Sequence, residues 1–247
     1  MTGVQTCALP ICPEKPAPAI DYTGFDRLLK KYVDNRGLVN YKAFKTDSTA
    51  LDAYLTLLSE NPPTANWSKP EQIAYWINAY NAYTIRLILD HYPVKSIKDI
   101  GPAKQINRVS TPWAKKFFTI GGNAMSLDSI EHGILRKNYH DYPDWPRIHF
   151  TLVCAARSCP RLRNEAYTAA KLDAQFDDQG RNFLNDQTKN NVGSEQAKLS
   201  KLFLWYKADW QSTGQSVMNW VNRYATAKLT PDTPVTFLDY DWTLNEQ

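Results

Sequence analysis

The sequence predicts an α+β fold that is mainly helical and carries a small antiparallel sheet. Apolar residues recur with helical spacing in several segments, most clearly in 21–33, 48–59 and 69–91. A Gly-Gly-Asn turn at 121–123 separates two short apolar runs, which is typical of a β-hairpin. Apolar and polar residues alternate over 236–244, as they do in a strand with one buried face.

Each predicted element has its own local signal. Pro62-Pro63 and Pro93 stop the second and third helices, and Ser68 with Glu71 forms a capping box at the start of the third. Ser126 caps the helix that follows the hairpin. The predicted elements are, in order, a helix over 21–33, an extended piece over 38–44, helices over 48–59 and 69–91, a hairpin over 117–126, a helix over 127–137, a strand over 147–154, a mostly helical stretch over 165–183, an aromatic-rich segment of open type over 201–210 and a strand over 236–244.

Composition limits the kind of protein. Of the 247 residues, 43% are hydrophobic and 13% aromatic, which is enough to build a full core. The net charge is only +4, and basic residues alternate with acidic ones, so we expect no nucleic-acid partner. The longest apolar runs are far shorter than the roughly 20 residues that span a bilayer.

The first residues do not resemble the rest. Residues 1–12 (MTGVQTCALPIC) resemble the translation of a sequencing-adapter fragment and lack the basic start of a signal peptide. Residues 13–20 are rich in Pro and Ala and are expected to be a linker, which leaves 21–247 as a single globular domain. Such a linker is typical of exported domains. We therefore expect a cell-envelope, periplasmic or secreted location, with a membrane tether through a missing N-terminus.

Five sequence blocks carry a family resemblance. They are YWINAYNAYTI at 75–85, YPVKSI at 92–97, SLDSIEHGILR at 126–136, RIHFTLVCAARSCPRL at 147–162 and YDWTLN at 240–245. In this order they resemble the bacterial, single-domain branch of the domain-of-unknown-function 547 family. That family has no assigned function, so the resemblance does not imply one for this chain. Some relatives carry glutaredoxin-like modules, a hint of thiol chemistry, and a distant likeness to papain or transglutaminase folds is a further expectation.

A glutamate and a histidine are candidates for acid–base chemistry. Glu131 lies four residues after Leu127 and four before Leu135, so it faces the core, where a carboxylate needs a partner. It could be a structural brace to an arginine or the backbone, or a functional acid, base or orienter. A strand over 147–154 would place His149 on the opposite face from Cys154, leading into the cysteine loop. His132, beside Glu131, is expected to be half-exposed.

The loop CAARSCPRLR at 154–163 is the candidate nucleophile site. Arg157, Arg161 and Arg163 flank Cys159, and nearby guanidinium charge lowers a thiol pKa and also binds anionic groups. Cys159, His149 and Glu131 together have the parts of a thiol triad, as nucleophile, base and orienter. The order along the chain differs from that of papain.

Other uses of the two cysteines stay open. A Cys-x4-Cys spacing is neither the thioredoxin nor the zinc-ribbon pattern. His132, His149, Cys154 and Cys159 could hold zinc, but their spacing matches no pattern known to us, and we expect neither metal nor cofactor. A loop disulfide and two free thiols are the remaining alternatives.

Two asparagines and a group of aromatics could contact a ligand. Asn78 and Asn81 border the apolar side of the third helix, where they either cross-link neighbouring loops or bind substrate. Aromatic side chains could either form core or line a groove for sugar or peptide. These aromatics are Tyr75, Trp76, Tyr80, Tyr83, Trp205, Tyr206 and Trp242.

The favoured hypothesis is a cysteine-centred hydrolase or acyltransferase. Cys159, His149 and Glu131 would be catalytic. Arg157, Arg161, Asn78 and Asn81 would bind an anionic or peptide-like substrate. The alternative is a non-catalytic binding or interaction module whose cysteines are structural or redox-active. Its ligand would be an unidentified small molecule or peptide.

Overall fold

The structure, a computed structural model, describes residues 20–101 and 111–247. The predicted adapter fragment, nearly all of the linker, Cys7 and Cys12 lie outside these ranges. The α-helical segments are α1 (Thr23–Tyr32), α2 (Tyr41–Phe44), α3 (Ser48–Glu60), α4 (Lys69–His91), α5 (Leu127–Ile130), α6 (Arg136–Asn138), α7 (Leu172–Asn185), α8 (Leu202–Trp205), α9 (Lys207–Gln211) and α10 (Val217–Tyr224). The strands are β1 (Phe118–Ile120), β2 (Asn123–Met125), β3 (Asn191–Val192), β4 (Ala197–Leu199) and β5 (Val235–Phe237). The α+β class is confirmed.

The strands form two separate small sheets. β1 and β2 pair antiparallel as the predicted hairpin, and Gly121 and Gly122 take the positive φ values of 57° and 76° that its turn requires. β3 pairs antiparallel with β4, and β4 pairs parallel with β5. β3 and β4 were not predicted, because strands of two or three residues are too short to show alternation.

Helix α4 is the central element of the larger core. It begins at the predicted capping box, in which the Ser68 hydroxyl accepts from the Glu71 N–H and the Glu71 carboxylate accepts from the Ser68 N–H. Residues 73–85 are all buried, so the helix is enclosed on every side. This burial fixes the orientation of α4 and of the segments that pack against it.

A π-helical turn interrupts the predicted helix over 127–137. Ser126 caps α5 as expected, and its hydroxyl accepts from the Ser129 N–H. The chain then widens into a π-helical turn at Glu131–Leu135 before α6. Such turns occur often at functional sites, and this one contains Glu131.

Two predicted elements have the wrong type over part of their length. The expected strand over 147–154 begins instead within a 3₁₀ helix, Trp145–Phe150, because Pro146 and the left-handed residue Asp144 (φ 53°) start a tight turn there. The end of the expected extended piece over 38–44 is helix α2, which Asn40 caps. The stretch over 165–183 is mostly helical, as predicted, since a 3₁₀ turn at Ala169–Lys171 leads into α7.

The C-terminal segment keeps its predicted alternation without being a continuous strand. Only Val235–Phe237 pairs in a sheet. Beyond it, Leu238, Tyr240, Trp242 and Leu244 are partly or fully buried, whereas Asp239, Asp241 and Thr243 are exposed. The alternation therefore shows which side chains face the protein. The backbone hydrogen bonds beyond Leu238 go to loops, chiefly the one that carries Cys154 and Cys159.

Two hydrophobic clusters make up the interior. The larger one contains α1, α3, α4 and the loop around Cys159. The smaller one is built around Phe150, Trp210 and Trp220. Tyr240 packs against both clusters, and a pocket opens where they meet. Among the described helices, none has the length and apolar character to cross a membrane.

Candidate functional site

The pocket between the two clusters brings together the residues of the predicted triad. It has a volume of about 690 Å³, and Glu131, His149, Cys154 and Cys159 all line it. Glu131 comes from the π-helical turn, His149 from the 3₁₀ helix, and the cysteines from the loop that follows. Sequence reasoning therefore located a common site, although the contacts within it differ from those of a triad.

The two cysteine sulfurs are in direct contact. Both thiols are free, and Sγ of Cys154 lies 2.6 Å from Sγ of Cys159. The Tyr240 hydroxyl donates to Cys159 Sγ at 3.2 Å, and the Cys154 backbone N–H donates to the same sulfur at 3.2 Å. Cys159 is thus the hydrogen-bond acceptor of the pair, which is the role of a thiolate.

The loop that carries the cysteines is held by the C-terminal segment. Ala155 adopts a left-handed conformation (φ 58°), and its carbonyl accepts from the Asn245 N–H at 3.0 Å. The Arg157 and Ser158 N–H groups donate to the carbonyls of Thr243 and Asp241. These bonds turn the chain back on itself, so that residues five positions apart can place their sulfurs side by side.

The two thiols have opposite pKa shifts. Burial raises the pKa of the Cys159 thiol, but hydrogen bonds from Cys154, Tyr240 and backbone N–H groups outweigh it and lower the pKa to about 7. The pKa of Cys154 is raised well above its ordinary value, first by its hydrogen bond to Cys159 and then by burial. The pair therefore loses its first proton from Cys159, at a pH near 7.

A buried aspartate is the partner of His149. Nε2 of His149 lies 2.8 Å from Oδ2 of Asp209, which also pairs with the Arg136 guanidinium at 2.6 and 2.9 Å. Burial lowers the pKa of His149, and the carboxylate does not fully offset it. The pKa of Asp209 lies well below its usual range. Burial alone would raise it, but the bonds from His149 and Arg136 prevail. A neutral imidazole therefore donates its Nε2–H to an ionised Asp209.

Glu131 meets a tyrosine. Its Oε1 accepts from the Tyr206 hydroxyl at 2.5 Å, and the Tyr206 ring stacks on the His149 ring with centroids 3.9 Å apart. Glu131 is buried, as predicted, but the orienting carboxylate of His149 is that of Asp209. Sequence reasoning missed Asp209 and named Tyr206 only as an aromatic that could line a groove, without its bond to Glu131. Their only signal was their position in the aromatic-rich segment over 201–210.

The arginines near Cys159 in sequence do not line the thiol pocket, and Arg157 and Arg161 line a different one. Arg161 bonds Asp178 at 2.7 Å and Gln179 at 3.2 Å, and Arg163 pairs with Asp178 and Glu165. Arg157 reaches the carbonyl of Glu246. The predicted direction of the Cys159 pKa shift agrees with the structure. The predicted cause was wrong, because the hydrogen bonds described above lower it.

Asn78 and Asn81 act as buried cross-links. The Asn78 amide bonds the backbone N–H and carbonyl of Tyr167 at 2.9 and 2.8 Å. Asn81 bonds the Thr151 carbonyl and the Val153 N–H, both at 3.0 Å. Their exposed fractions are 1% and 3%, so the structure gives no support to their predicted contact with substrate. Asn81 does help to place the cysteine loop.

Aromatic side chains form one wall of the pocket. Trp205 stacks on Trp242 with ring centroids 6.0 Å apart. The Tyr240 ring centroid lies 4.9 Å from that of Trp205 and 4.6 Å from that of Trp242. Trp205 is 46% exposed, which is unusual for so large an apolar side chain. Tyr80 and Tyr206 also line the pocket, whereas Tyr75, Trp76 and Tyr83 are core residues.

The four residues considered as zinc ligands are not arranged for that role. His132 faces Asp128 and Arg136 at the pocket rim, and His149 is bonded to Asp209. Over the described ranges 20–101 and 111–247, no three His, Cys, Asp or Glu residues are grouped as ligands of one metal ion.

Fold and site together define an α+β protein with a pair of thiols in an aromatic pocket. A family model described as "Protein of unknown function, DUF547" matches residues 64–184, and the chain belongs to this family. No curated protein and no solved structure matches the chain. The likeness to papain or transglutaminase folds therefore stays a prediction.

Proposed function

We propose that the pocket is a dithiol site for thiol–disulfide exchange with a small-molecule or peptide disulfide. The observation that carries the proposal is the 2.6 Å separation of the Cys154 and Cys159 sulfurs. A pair in contact, with one thiol of lowered pKa, suits the formation and opening of a disulfide. The proposal thus favours a redox role for the cysteines over a hydrolase. The sequence alone left that redox role as an alternative.

The exchange begins with a proton transfer between the two sulfurs. Cys154 is the more exposed of the two and is the attacking thiol in this scheme. Because the pKa of Cys154 is the higher one, only a small fraction of the pair at any time has passed the proton from Cys154 to the Cys159 thiolate. The Cys154 thiolate then attacks the ligand disulfide, which forms a mixed disulfide and expels one ligand thiolate. Cys159 loses its proton to that thiolate and attacks Cys154 Sγ, which expels the second thiolate. Two protein thiols are oxidised and one ligand disulfide is reduced, so two electrons move.

The aromatic wall supports a ligand with apolar or peptide character. Trp205, Tyr240 and Trp242 offer ring faces beside the thiols, and aromatic faces of this kind bind apolar and planar groups. Lys98 Nζ lies 4.3 Å from the Trp242 ring centroid, so a cation is held at the edge of the wall. A location in the cell envelope is part of the proposal, because reversible disulfides persist in oxidising compartments.

A cysteine-centred hydrolase or acyltransferase is the second candidate. It is favoured by the Cys159 pKa of about 7 and by Glu131 and His149 in the same pocket. Cys159 would attack an acyl carbon, a pocket acid would protonate the leaving group, and water or an acceptor would release the acyl group. The hydrogen bond of His149 Nε2 to Asp209 leaves only Nδ1 as the base for this chemistry.

Single-turnover exchange tests the dithiol proposal. The protein is used at full length with Cys7→Ser and Cys12→Ser, so that only Cys154 and Cys159 react. The reduced protein is mixed with glutathione disulfide, quenched in acid and analysed for released glutathione and intact mass. We expect two glutathione molecules released per protein. With Cys159→Ser, we expect one molecule released and a stable mixed disulfide on Cys154.

Two outcomes would count against exchange. Equal behaviour of the parent and Cys159→Ser proteins would mean that Cys159 does not resolve the mixed disulfide. Reaction no faster than that of free cysteine would mean that the pocket does not promote exchange. If an activated ester then acylates Cys159 while disulfides do not react, the hydrolase or acyltransferase candidate is supported instead.

A further inference from the structure

A second pocket lies on the other side of the cysteine loop. It has a volume of about 720 Å³, and its lining includes Arg157, Ser158 and Arg161 from that loop. Among the described residues, none lines both this pocket and the thiol pocket. Side chains along the loop thus alternate between two sites, with Cys159 and Pro160 facing the first.

The lining of the second pocket is predominantly cationic. Its basic side chains are Arg36, Arg157, Arg161, Arg181 and Lys189. Its acidic side chains are Asp186 and Asp241. Cations grouped in a concave site concentrate anions from solution, because the low-dielectric walls focus the field.

Three of the cations already have carboxylate partners. Arg161 lies 2.7 Å from Asp178, and Lys189 lies 3.5 Å from Asp186. Arg36 lies 3.3 Å from Asp34 but is largely exposed. In these pairs the carboxylate largely neutralises the cation, so the pairs alone do not indicate a bound anion.

Two guanidinium groups have no carboxylate within ion-pair distance among the described residues, although Arg157 also attracts the Asp241 carboxylate at longer range. Arg157 donates only to the neutral carbonyl of Glu246, at 3.1 Å. Within residues 20–101 and 111–247, the Arg181 side chain has no ion-pair or hydrogen-bond partner. The Ser158 oxygen accepts from the Asp241 N–H at 2.8 Å, and its own hydrogen is free to donate.

We infer that the second pocket binds a phosphate-bearing anion, with Arg157 and Arg181 as its principal contacts. Guanidinium groups match the geometry of phosphate oxygens and bind them with paired, charge-assisted hydrogen bonds. A diphosphate offers enough acceptor oxygens for two guanidinium groups and the Ser158 hydroxyl at once. The inference goes beyond thiol exchange, since it concerns a separate site and does not depend on the reactivity of Cys159.

Calorimetric titration with inorganic pyrophosphate at low ionic strength tests the inference. We expect saturable binding of one pyrophosphate per protein, with a dissociation constant on the order of 1 mM or tighter. Arg157→Ala and Arg181→Ala should each weaken binding by about tenfold, because each removes a charged hydrogen-bond donor. Thermal unfolding of each variant should match the parent, since both side chains are exposed.

Arg27→Ala is the matched control. Arg27 is an exposed arginine on helix α1 and lies outside the pocket, so its removal changes the net charge equally. We expect pyrophosphate affinity to stay within about twofold of the parent for this variant. If the protein shows no saturable binding, or if Arg27→Ala weakens binding as much as Arg181→Ala, the site is refuted.

The phosphate could belong to a soluble ester or to a lipid headgroup. Sedimentation with vesicles of phosphatidylcholine and phosphatidic acid separates these sources. Pyrophosphate binding without vesicle binding assigns a soluble ligand. Vesicle binding that is lost in the Arg157→Ala/Arg181→Ala protein assigns a headgroup. Vesicle binding that survives the double substitution, without pyrophosphate binding, refutes the site.

Discussion

Burial and hydrogen bonding act on the Cys159 thiol in opposite directions. Burial favours the neutral thiol, whereas donors from Cys154, Tyr240 and the backbone favour the thiolate, and their sum is a pKa of about 7. Of these donors, the Tyr240 hydroxyl is the one that can be removed while its ring keeps its packing. The thiolate of this site therefore depends on a residue far away in sequence.

Tyr240→Phe should raise the pKa of Cys159, because the thiolate loses a hydrogen-bond donor at 3.2 Å. The measurement is the rate of iodoacetamide labelling at Cys159 against pH, followed by peptide mass. In the parent the rate should reach half its maximum near pH 7. In Tyr240→Phe the midpoint should lie higher. Tyr142→Phe, which removes a hydroxyl near Asp173, is the control and should leave the midpoint unchanged.

Asp209 joins His149 and Arg136 and so links two sides of the pocket. Asp209→Asn should lower the free energy of unfolding by about 2 kcal/mol at pH 7, because charged hydrogen bonds are lost. Since the folded pKa of Asp209 is lowered, this stabilisation exists above the ordinary carboxyl pKa and is lost as pH falls below it. The difference between the two proteins should therefore shrink in acid.

Urea unfolding at several pH values measures this difference. Asp239→Asn is the control, since Asp239 is fully exposed in its pair with Lys201 and its substitution should leave the free energy of unfolding unchanged. An equal effect of both substitutions would show that the buried network contributes nothing specific.

At the scale of single elements, two helical glycines differ in the space around them. A Cβ at Gly133, in the π-helical turn, would meet nothing within 4 Å. A Cβ at Gly180, in α7, would lie 2.9 Å from the Tyr224 ring. Gly133 is thus free to carry a side chain, while Gly180 allows α7 and α10 to approach each other.

Gly133→Ala should raise the free energy of unfolding by about 0.5–1 kcal/mol, because alanine restricts the unfolded chain and fits the helix. Gly180→Ala should lower it, since the Tyr224 ring must move. Thermal and urea unfolding of both variants measure the change. A loss of stability in Gly133→Ala would mean that the π-helical turn needs the freedom of glycine.

Elements with strong local signals could be predicted from the sequence. The capping box at Ser68 and the Gly121-Gly122 turn place α4 and the hairpin correctly, because a few neighbouring residues determine them. The region around His149 was mistaken for a strand. Its apolar run is buried on all sides, and burial alone does not separate a strand from a 3₁₀ helix.

At the scale of the whole molecule, the pocket is assembled from distant parts of the chain. Glu131, His149 and the two cysteines lie inside the segment that the family model matches, 64–184. Tyr206, Asp209, Tyr240 and Trp242 come after it and complete the site. Tyr206 and Tyr240 pack against the smaller hydrophobic cluster, and Tyr240 and Trp242 pack against the larger one.

This assembly explains what the sequence could not predict about the site. Asp209 is 60 positions from His149, and Tyr240 is 81 positions from Cys159, so no local pattern pairs them. The predicted effect of the arginines on the Cys159 pKa was wrong for a related reason, since neighbouring residues in a loop can face opposite sides. Sequence showed which residue types carry the chemistry, and the tertiary fold decides which of them touch.

Redox equilibration tests the dithiol pair most directly. The Cys7→Ser/Cys12→Ser protein is equilibrated with a series of glutathione buffers of different redox potential. It is then quenched in acid and alkylated, and its intact mass is measured. We expect a single two-electron transition from two alkylated thiols to none, with a midpoint between roughly −300 and −120 mV. Two alkylatable thiols at every potential, or accumulation of a singly glutathionylated protein, would contradict a reversible Cys154–Cys159 pair.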